Sequence, residues 1–267
     1  MLKIAVNGAL GRMGARILQL ACHSQDFGVA AAFEHPGHAM LGKDLGAALG
    51  LGESLKVKIA PLSAKAMKPA EVVIDFSNAE GALQCLRQAL RARKALVIGT
   101  TGIGAAGCEE IQEASGVIPV LFSPNMSVGA NFLFEVARLA AARLKAGYDI
   151  EIIEAHHRLK KDAPSGTARK IAEVIARERG WDLGEVAKYG REGFTGERPK
   201  DEIGIHVIRA GDIVGEHTVM FSGPGETIEL KHTALSRDAF AKGALVAAQF
   251  LSKKKPGLYS ISDLLKS

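Results

Sequence analysis

The sequence predicts an α/β protein. Its amino-terminal part is expected to form a doubly wound parallel sheet of the Rossmann type, followed by a second, α+β domain with a mixed, mainly antiparallel sheet. Two observations predict this fold class: apolar runs alternate with amphipathic segments over the first 126 residues, and this texture changes after Met126. Strands that alternate with helices over short connections are typical of a parallel, doubly wound sheet.

The first domain is predicted element by element from the spacing of apolar residues. The apolar run 2–7 predicts a buried strand, and apolar residues on one helical face predict a helix over 12–23. Further strands are predicted at 29–33, 57–60, 72–76, 95–98 and 117–122, with helices at 80–91 and 107–114.

The second domain is predicted from a different order of elements. This order is a helix over 130–145, a strand over 149–156, a helix over 165–179 and strands at 203–209, 213–222 and 227–233. A last helix over 237–251 is expected to return and pack on the first domain. The segment 180–201 is rich in glycine and charge, which predicts a long loop with little regular structure. The turns between the last three strands are too short for crossovers, which favours antiparallel pairing. The predicted domains are 1–126 with 237–267, and 127–236.

Composition excludes several classes of protein. The 267 residues include 34 Lys and Arg against 29 Asp and Glu, an excess of +5. This excess is too small to indicate nucleic-acid binding, but it suits small anions drawn into a cationic cleft. No apolar run is long enough to predict a membrane span. Cys22, Cys85 and Cys108 lie far apart without metal-ligand spacing, so we expect no metal site and a reduced, cytoplasmic protein in which all three pack as small hydrophobes.

The turn after the first strand has the clearest chemical meaning. It reads Gly8-Ala9-Leu10-Gly11-Arg12-Met13-Gly14. A helix amino terminus exposes unpaired N–H groups and the positive end of the helix dipole, which together hold a pyrophosphate. The spacing is GxxGxxG rather than GxGxxG, and a purely structural turn is the alternative. An acidic residue, Glu34, lies 20 positions beyond the last glycine, and this context predicts a dinucleotide-binding domain.

Glu34 bears on which dinucleotide is bound. At the end of a second strand, a carboxylate can accept hydrogen bonds from both hydroxyls of the adenine ribose, although an ordinary surface glutamate is the alternative. A carboxylate there repels the extra phosphate of NADP, and the next residue, His35, is at best partly charged at neutral pH. We therefore expect NADH to be preferred, or both NADH and NADPH to be accepted with a bias toward NADH.

Two more loops follow predicted parallel strands, at the edge where open α/β sheets bind ligands. They read Gly99-Thr100-Thr101-Gly102 and Ser123-Pro124-Asn125-Met126. Glycine lets backbone approach a nicotinamide ring, and the side chain of Asn125 can bond the nicotinamide amide. Ordinary loops are the alternative interpretation of both segments.

The densest polar cluster is the segment 154–167, EAHHRLKKDAPSGT. Adjacent residues on a strand face opposite ways, so His156 and His157 are not expected to share a metal ion. We expect a pocket for a small anionic dicarboxylate, with one of these histidines holding charge beside it and Lys160 as proton donor. The expected donors at the start of the following helix are Ser165, Gly166 and Thr167. A solvated basic loop is the alternative.

Four segments together resemble the bacterial dihydrodipicolinate reductases, also called 4-hydroxy-tetrahydrodipicolinate reductases, of the lysine and diaminopimelate pathway. They are GALGRMG at 8–14, VIGTTG at 97–102, EAHHRLKKDAPSGTA at 154–168 and RAGDIVGEHTVMF at 209–221. The segments occur in the family's order over most of the chain, and the third is highly specific.

The resemblance implies a cytosolic reductase, usually a homotetramer, whose second domain binds substrate and forms the oligomer. NAD(P)H would deliver a hydride to a cyclic unsaturated dicarboxylate that loses its ring hydroxyl as water. The implied catalytic residues are His156 as proton donor or acceptor and Lys160 as proton donor. The implied cofactor contacts are 8–13 for the pyrophosphate, Glu34 for the ribose, and Gly99, Thr100, Thr101 and 123–126 for the nicotinamide end. The implied substrate contacts are His157, Gly166, Thr167 and Arg237, which is near a position where an arginine approaches the substrate.

One departure and two alternatives accompany the resemblance. Some relatives carry an arginine directly after the ribose carboxylate, where this chain has His35, which agrees with the charge argument for NADH. Another two-domain oxidoreductase, such as an amino-acid or sugar dehydrogenase, should lack the paired histidines with a downstream Ser-Gly-Thr. A non-catalytic NAD(H) sensor has no need for His156, Lys160 and Thr167 together.

Overall fold

The computed structural model describes residues 1–144 and 147–266. The chain divides into two compact units, one made of Met1–Val128 and the chain from Asp238 onward, the other of Gly129–Arg237. Lys145, where the long helix is predicted to end, and Ser267, the last residue of the predicted first domain, lie outside the described residues.

Over the described residues, seven strands form the sheet of the first unit, and all of them are parallel. They are β1 (Leu2–Asn7), β2 (Phe27–Glu34), β3 (Ile59–Pro61), β4 (Val72–Asp75), β5 (Ala95–Ile98), β6 (Pro119–Phe122) and β12 (Gly257–Tyr259). Their order across the sheet is β12-β6-β5-β4-β1-β2-β3. The chain therefore winds outward in both directions from the β1–β4 pair, which confirms the predicted doubly wound sheet and makes this pair its switch point.

Helices cover both faces of this sheet. They are α1 (Arg12–Cys22), α2 (Leu45–Ala48), α3 (Ala64–Met67), α4 (Ala79–Ala92), α5 (Ala105–Ser115), α9 (Asp238–Leu251) and α10 (Ile261–Leu264). α1 and α9 pack on one face around Ile17 and Leu245, and α4 and α5 pack on the other around Leu86 and Ile111. Because both faces are covered, β4 and β5 are buried along their whole length, which is why their sequences show no polar alternation.

The differences from prediction in the first unit are confined to short elements and element ends. β1 and β5 have the predicted bounds, whereas the strand predicted at 57–60 lies at Ile59–Pro61. The elements α2, α3, β12 and α10 are not predicted at all. Each has only three or four residues, too few to show a hydrophobic period, and β12 is defined by its pairing with β6 more than a hundred residues away.

Five strands form the sheet of the second unit over the described residues. They are β7 (Asp149–His156), β8 (Ala187–Tyr189), β9 (Ile203–Arg209), β10 (Gly215–Gly223) and β11 (Glu226–Ala234). Their order is β11-β10-β7-β9-β8, with β10 antiparallel to both its neighbours and β9 parallel to both of its own. The sheet is mixed and its longest pairing, β10 with β11, is antiparallel, as predicted. Helices α6 (Val128–Arg143) and α7 (Gly166–Arg179) pack on it around Phe134, Ile171 and Phe221.

The prediction of an irregular loop over 180–201 is wrong for its first half. This part contains α8 (Leu183–Val186), whose first turn is capped by the carboxylate of Asp182, and the edge strand β8. β8 exists because it pairs with β9, a partner that no local pattern reveals. The second half is irregular, and ion pairs of Arg191 and Arg198 with Glu151 of β7 attach it to the sheet.

The strand order brings one connection across the end of β7. β9 and β10 lie on opposite sides of β7, so the loop 210–214 between them passes over the point where β7 ends. The Ala210 amide donates to the His156 carbonyl at 3.0 Å, and the Arg158 amide donates to the Gly211 carbonyl at 3.0 Å. These backbone hydrogen bonds attach the chain from His156 to Arg158, at the carboxyl end of β7, to this loop.

Two findings concern the apolar segments and the cysteines. No helix in the described part of the chain is long and apolar enough to cross a membrane. Cys85 is buried and Cys22 is half-buried, but Cys108 is exposed, so the expectation that all three cysteines pack inside is wrong. Cys108 follows Gly107 on α5, and the helix buries the face of Gly107 and Ile111 rather than that of Cys108.

We expect Gly243→Ala to lower the free energy of unfolding by about 2 kcal/mol. Gly243 lies inside α9, where propensity alone favours alanine by about 1 kcal/mol. A methyl group there would overlap the backbone carbonyl oxygen of Met126, which cannot move without displacing the loop after β6. Urea denaturation measures the effect. Gly107→Ala is the control, because the atoms nearest to its methyl group would be side-chain methyl groups of Ile103 and Leu83 rather than backbone. Equal stability of the two variants would contradict this account of Gly243.

Candidate functional site

The glycine-rich turn lies at the carboxyl edge of the first sheet, between β1 and α1. The amides of Gly8 and Ala9 both donate to the Phe33 carbonyl at 3.1 Å, which ties the turn to β2. α1 begins after Gly11, and a methyl group on Gly14 would clash with the carbonyl oxygen of Gly8. The first turn of α1 therefore packs directly against the backbone of the glycine-rich turn, and its amino terminus offers the N–H groups that a pyrophosphate site requires.

Glu34 lies beside this turn, where the predicted ribose carboxylate belongs. Its Oε1 accepts a hydrogen bond from the Leu10 amide at 2.7 Å, and its Oε2 accepts one from the His35 amide at 3.3 Å. The His35 ring is exposed, and its Nδ1 accepts from the Gly37 amide at 3.1 Å. The structure thus brings together the two parts of the predicted adenosine-binding region.

A buried carboxylate that the sequence analysis does not identify lies at the switch point. Asp75, the last residue of β4, is fully buried and accepts hydrogen bonds from Asn7 at 2.6 Å, Ser77 at 2.7 Å and Thr100 at 2.6 Å. Burial raises the pKa of Asp75, although these hydrogen bonds oppose the shift. The sequence feature that could have identified Asp75 is an acidic residue at the carboxyl end of an apolar run.

The two loops predicted for the nicotinamide end are neighbours, because β5 and β6 are adjacent strands. The Ser123 amide donates to the Ile98 carbonyl at 3.2 Å. Gly99 lies against the ring of Phe76, which a methyl group at this position would overlap, and Thr101 is exposed. Within the second loop, the Ser123 hydroxyl donates to the Asn125 carbonyl at 2.8 Å, and Asn125 Oδ1 accepts from the Ser127 amide at 2.9 Å. The side-chain oxygen of Asn125 therefore helps to hold the loop in its conformation.

The predicted polar cluster of the second unit is built around Glu154, which is fully buried on β7. The Arg209 guanidinium donates to both of its carboxylate oxygens at 2.8 Å, and the Ser165 amide donates to Oε1 at 2.9 Å. The Nδ1 of His156 lies 2.6 Å from Oε2. Burial by itself would raise the pKa of Glu154, but the hydrogen bonds from His156, Arg209 and Ser165 outweigh it and lower this pKa to about 2.

A second imidazole packs against His156. The rings of His156 and His217 have centroids 5.2 Å apart and are inclined at 73°, and His217 Nε2 shares a 3.0 Å hydrogen bond with the Ser165 hydroxyl. Burial, together with the nearby His156, lowers the pKa of His217 to about 3, so this ring is neutral near pH 7. Glu154, Arg209 and His217 are site residues that no sequence pattern predicted as functional, although all three lie within the segments that resemble the family.

The other predicted substrate and catalytic residues surround the end of β7. β7 ends at His156, so His157 lies just beyond the strand. Lys160 Nζ is 2.9 Å from Asp162 Oδ1. The Ser165 hydroxyl caps α7 by accepting from the Ala168 amide at 3.1 Å.

Gly166 and Thr167 begin the first turn of α7, directly after its cap. Arg237 is exposed in the turn after β11, and within the described part of the chain no hydrogen bond or ion pair joins it to this cluster.

Comparison with known proteins gives consistent results over the whole chain. The family model "Dihydrodipicolinate reductase, N-terminus" matches residues 2–126, and "Dihydrodipicolinate reductase, C-terminus" matches residues 129–265. The curated 4-hydroxy-tetrahydrodipicolinate reductases of Syntrophobacter fumaroxidans and Hahella chejuensis are each 48% identical, with 99% of both chains covered.

Two solved structures are similar to this chain, one of them a dihydrodipicolinate reductase. The dipicolinate-bound dihydrodipicolinate reductase from Paenisporosarcina sp. TG-14 is 25% identical, with a TM-score of 0.78 and 99% of both chains covered. A myo-inositol dehydrogenase from Lactobacillus casei, 15% identical with a TM-score of 0.62 and coverage of 98% of this chain and 90% of its own, shares the fold alone.

A doubly wound sheet with a glycine-rich turn, together with a second unit carrying its own polar cluster, defines the class of two-domain pyridine-nucleotide oxidoreductases. Within that class the family models and the relatives agree. The chain belongs to the dihydrodipicolinate reductase family.

We expect His217→Gln to make the protein less sensitive to acid. Unfolded His217 binds a proton near pH 6.5, whereas the folded ring does so only near pH 3. Between these values the unfolded state holds more protons, so stability is complete above pH 6.5 and falls as the pH decreases. In the variant, the free energy of unfolding should depend less steeply on pH, by up to about 1.4 kcal/mol per pH unit.

Urea denaturation between pH 6.5 and pH 5 measures how the free energy of unfolding changes with pH. This interval lies above the range in which Glu154 and Glu151 titrate in the unfolded protein. His23→Gln, which removes an exposed imidazole from the first unit, is the control for the loss of a histidine. An unchanged slope in His217→Gln would contradict the assignment of a neutral buried ring.

Proposed function

We propose that this protein is a cytoplasmic 4-hydroxy-tetrahydrodipicolinate reductase of lysine and diaminopimelate biosynthesis. The reaction consumes one hydride and one proton, releases the ring hydroxyl as water and forms tetrahydrodipicolinate. The observation that carries the proposal is the buried pair of Glu154 and His156 beside the amino terminus of α7. Relatives that carry this enzyme name are 48% identical over nearly the whole chain.

The residues of the first unit fit a pyridine nucleotide. Residues 8–13 offer backbone donors at the start of α1, where a pyrophosphate would bind, and Glu34 would accept hydrogen bonds from the adenosine ribose. Gly99, Thr100, Thr101 and the loop 123–126 would line the nicotinamide end. When bound, NAD(P)H supplies the hydride.

The residues of the second unit fit a small dicarboxylate, in keeping with the dipicolinate named for one structural relative. Thr167, Gly166 and His157 would hold a substrate carboxylate at the positive end of the α7 dipole. Ser165 supports this group as the cap of α7, and Arg237 is proposed to reach the substrate from its exposed turn.

Proton transfer is assigned to His156 and Lys160. A hydride that arrives on a conjugated imine pushes negative charge onto the neighbouring carbon or nitrogen, which then needs a proton. Lys160 would donate this proton, and His156 would donate or accept a proton at the same centre. A non-catalytic sensor has no use for such a pair.

We also propose a homotetramer formed through the second unit. β11 is an edge strand whose residues are largely exposed in the single chain, among them Ile228, and exposed edge strands are commonly covered by a partner. Light scattering after size-exclusion chromatography measures the number of subunits.

Turnover should separate the proton-transfer residues from the substrate anchor. We expect His156→Gln and Lys160→Ala to lower kcat by at least about 100-fold, with NADH affinity close to that of the parent protein. Thr167→Ala should mainly raise the substrate KM, by about 10-fold, because it removes a contact made in both ground and transition states. The control is Lys161→Ala, which removes an exposed neighbouring lysine.

The assay follows NADH absorbance, with substrate generated in place from pyruvate and aspartate semialdehyde. Full activity of all three variants would refute the site assignment while leaving the family intact. No turnover by the parent protein, in a form that still binds NADH, would refute the proposed function.

We expect NADH to give a higher kcat/KM than NADPH, because Glu34 repels the extra phosphate and no arginine stands at position 35 to pair with it. His35→Arg should shift the ratio toward NADPH by about 10-fold through a charged hydrogen bond to that phosphate. His38→Arg, which adds the same charge three residues further along, is the control. Faster turnover with NADPH in the parent protein would contradict the charge argument.

A further inference from the structure

We propose that Glu154, held in place by Arg209, is a positioning residue that fixes which ring nitrogen of His156 exchanges protons with the substrate. This inference rests on the proposed function, in which His156 transfers a proton. Its structural part can be tested without substrate, so the inference and the proposed function can fail separately.

The side chains of Glu154 and His156 are in direct contact. Glu154 and His156 are two positions apart on β7 and therefore share one face of the strand. Nδ1 of His156 lies 2.6 Å from Oε2 of Glu154. An ionised carboxylate only accepts hydrogen bonds, so Nδ1 must carry the hydrogen. Nε2 is then the nitrogen left to exchange a proton with substrate, as in sites where a buried carboxylate orients a reactive histidine.

The carboxylate of Glu154 is held in a fixed orientation. Each of its oxygens accepts two hydrogen bonds: Oε1 from Arg209 Nη2 and the Ser165 amide, Oε2 from Arg209 Nη1 and His156. Arg209 also donates to the backbone carbonyls of Asp162 and Ile208, at 2.7 and 2.8 Å. All acceptor positions of Glu154 are occupied, so the carboxylate cannot rotate without breaking several charged hydrogen bonds.

Two residues of β10 surround the His156 ring near Nε2. Gly215 of β10 lies beside the ring, and a methyl group there would come within 3.1 Å of His156 Nε2. His217 packs edge-on against the ring from the same strand. The imidazole is therefore held by a hydrogen bond at Nδ1 and by packing on its side, while the position beside Nε2 is kept open by a residue without a side chain.

Nitrogen-15 NMR of the His156 ring tests the inference in the unaltered protein. The signal is assigned by its loss in His156→Gln. We expect Nδ1 to show a directly bonded hydrogen. A bare Nδ1 with hydrogen on Nε2 would overturn the inference, whatever the enzyme does with substrate.

Glu154→Gln provides the second test. The glutamine side chain has one oxygen and one NH2 group, so its NH2 group must face one of the two pairs of donors that surround residue 154. We expect the NH2 group to face the pair that includes His156, because only a histidine can respond by moving its own hydrogen to Nε2. We expect the Nδ1 signature to disappear and kcat to fall by at least about 10-fold. The substrate KM should stay within about twofold, because the substrate contacts are unchanged.

Glu151→Gln is the matched control. Glu151 lies on the same strand but on the opposite face, and it too is bound by two arginines and a histidine: Arg191, Arg198 and His206. A loss of kcat equal to that of Glu154→Gln would show a merely structural effect and overturn the inference. So would an unchanged kcat in a folded Glu154→Gln. If that variant does not fold, the spectrum of the unaltered protein still decides.

Discussion

The second unit is organised around one fully buried carboxylate, that of Glu154. Taking a carboxylate such as Glu154 out of water costs several kcal/mol unless partners replace the lost hydration. Its partners come from three different elements: His156 from β7, Arg209 from β9 and the Ser165 amide from the start of α7. Satisfying this one group therefore brings together the strand end, its neighbour and the helix terminus that form the candidate substrate site.

The first unit meets a similar constraint by a different route. Asp75 is also fully buried at the carboxyl end of a parallel strand, but its hydrogen bonds come from Asn7, Ser77 and Thr100, none of which is charged. Burial accordingly raises the pKa of Asp75, whereas the hydrogen bonds from His156, Arg209 and Ser165 keep the pKa of Glu154 low. Both carboxylates lie where parallel strands end, which is where open sheets bind ligands.

Much of the fold could be predicted because it follows from local patterns. β1, β5, β7 and β9 have the predicted bounds, since each is a continuous apolar or alternating run bounded by turn residues. The start of α7 could be predicted because Ser165 is a common cap and its hydroxyl does accept from the Ala168 amide. β8 and β12 could not, because each is stabilised mainly by backbone pairing with a strand distant in sequence.

The amino-acid sequence by itself determined the two kinds of sheet, the glycine-rich turn, the nearby Glu34 and the cluster that holds His156 and Lys160. These features depend on residue type, period and short spacing. Only the tertiary structure decided that Arg209, 55 positions away, binds Glu154, and that the loop 210–214 passes over His156. The physical reason is that strand order in a mixed sheet is set by which pairings bury the most surface and satisfy the most polar groups together, a property of the whole unit and of no single segment.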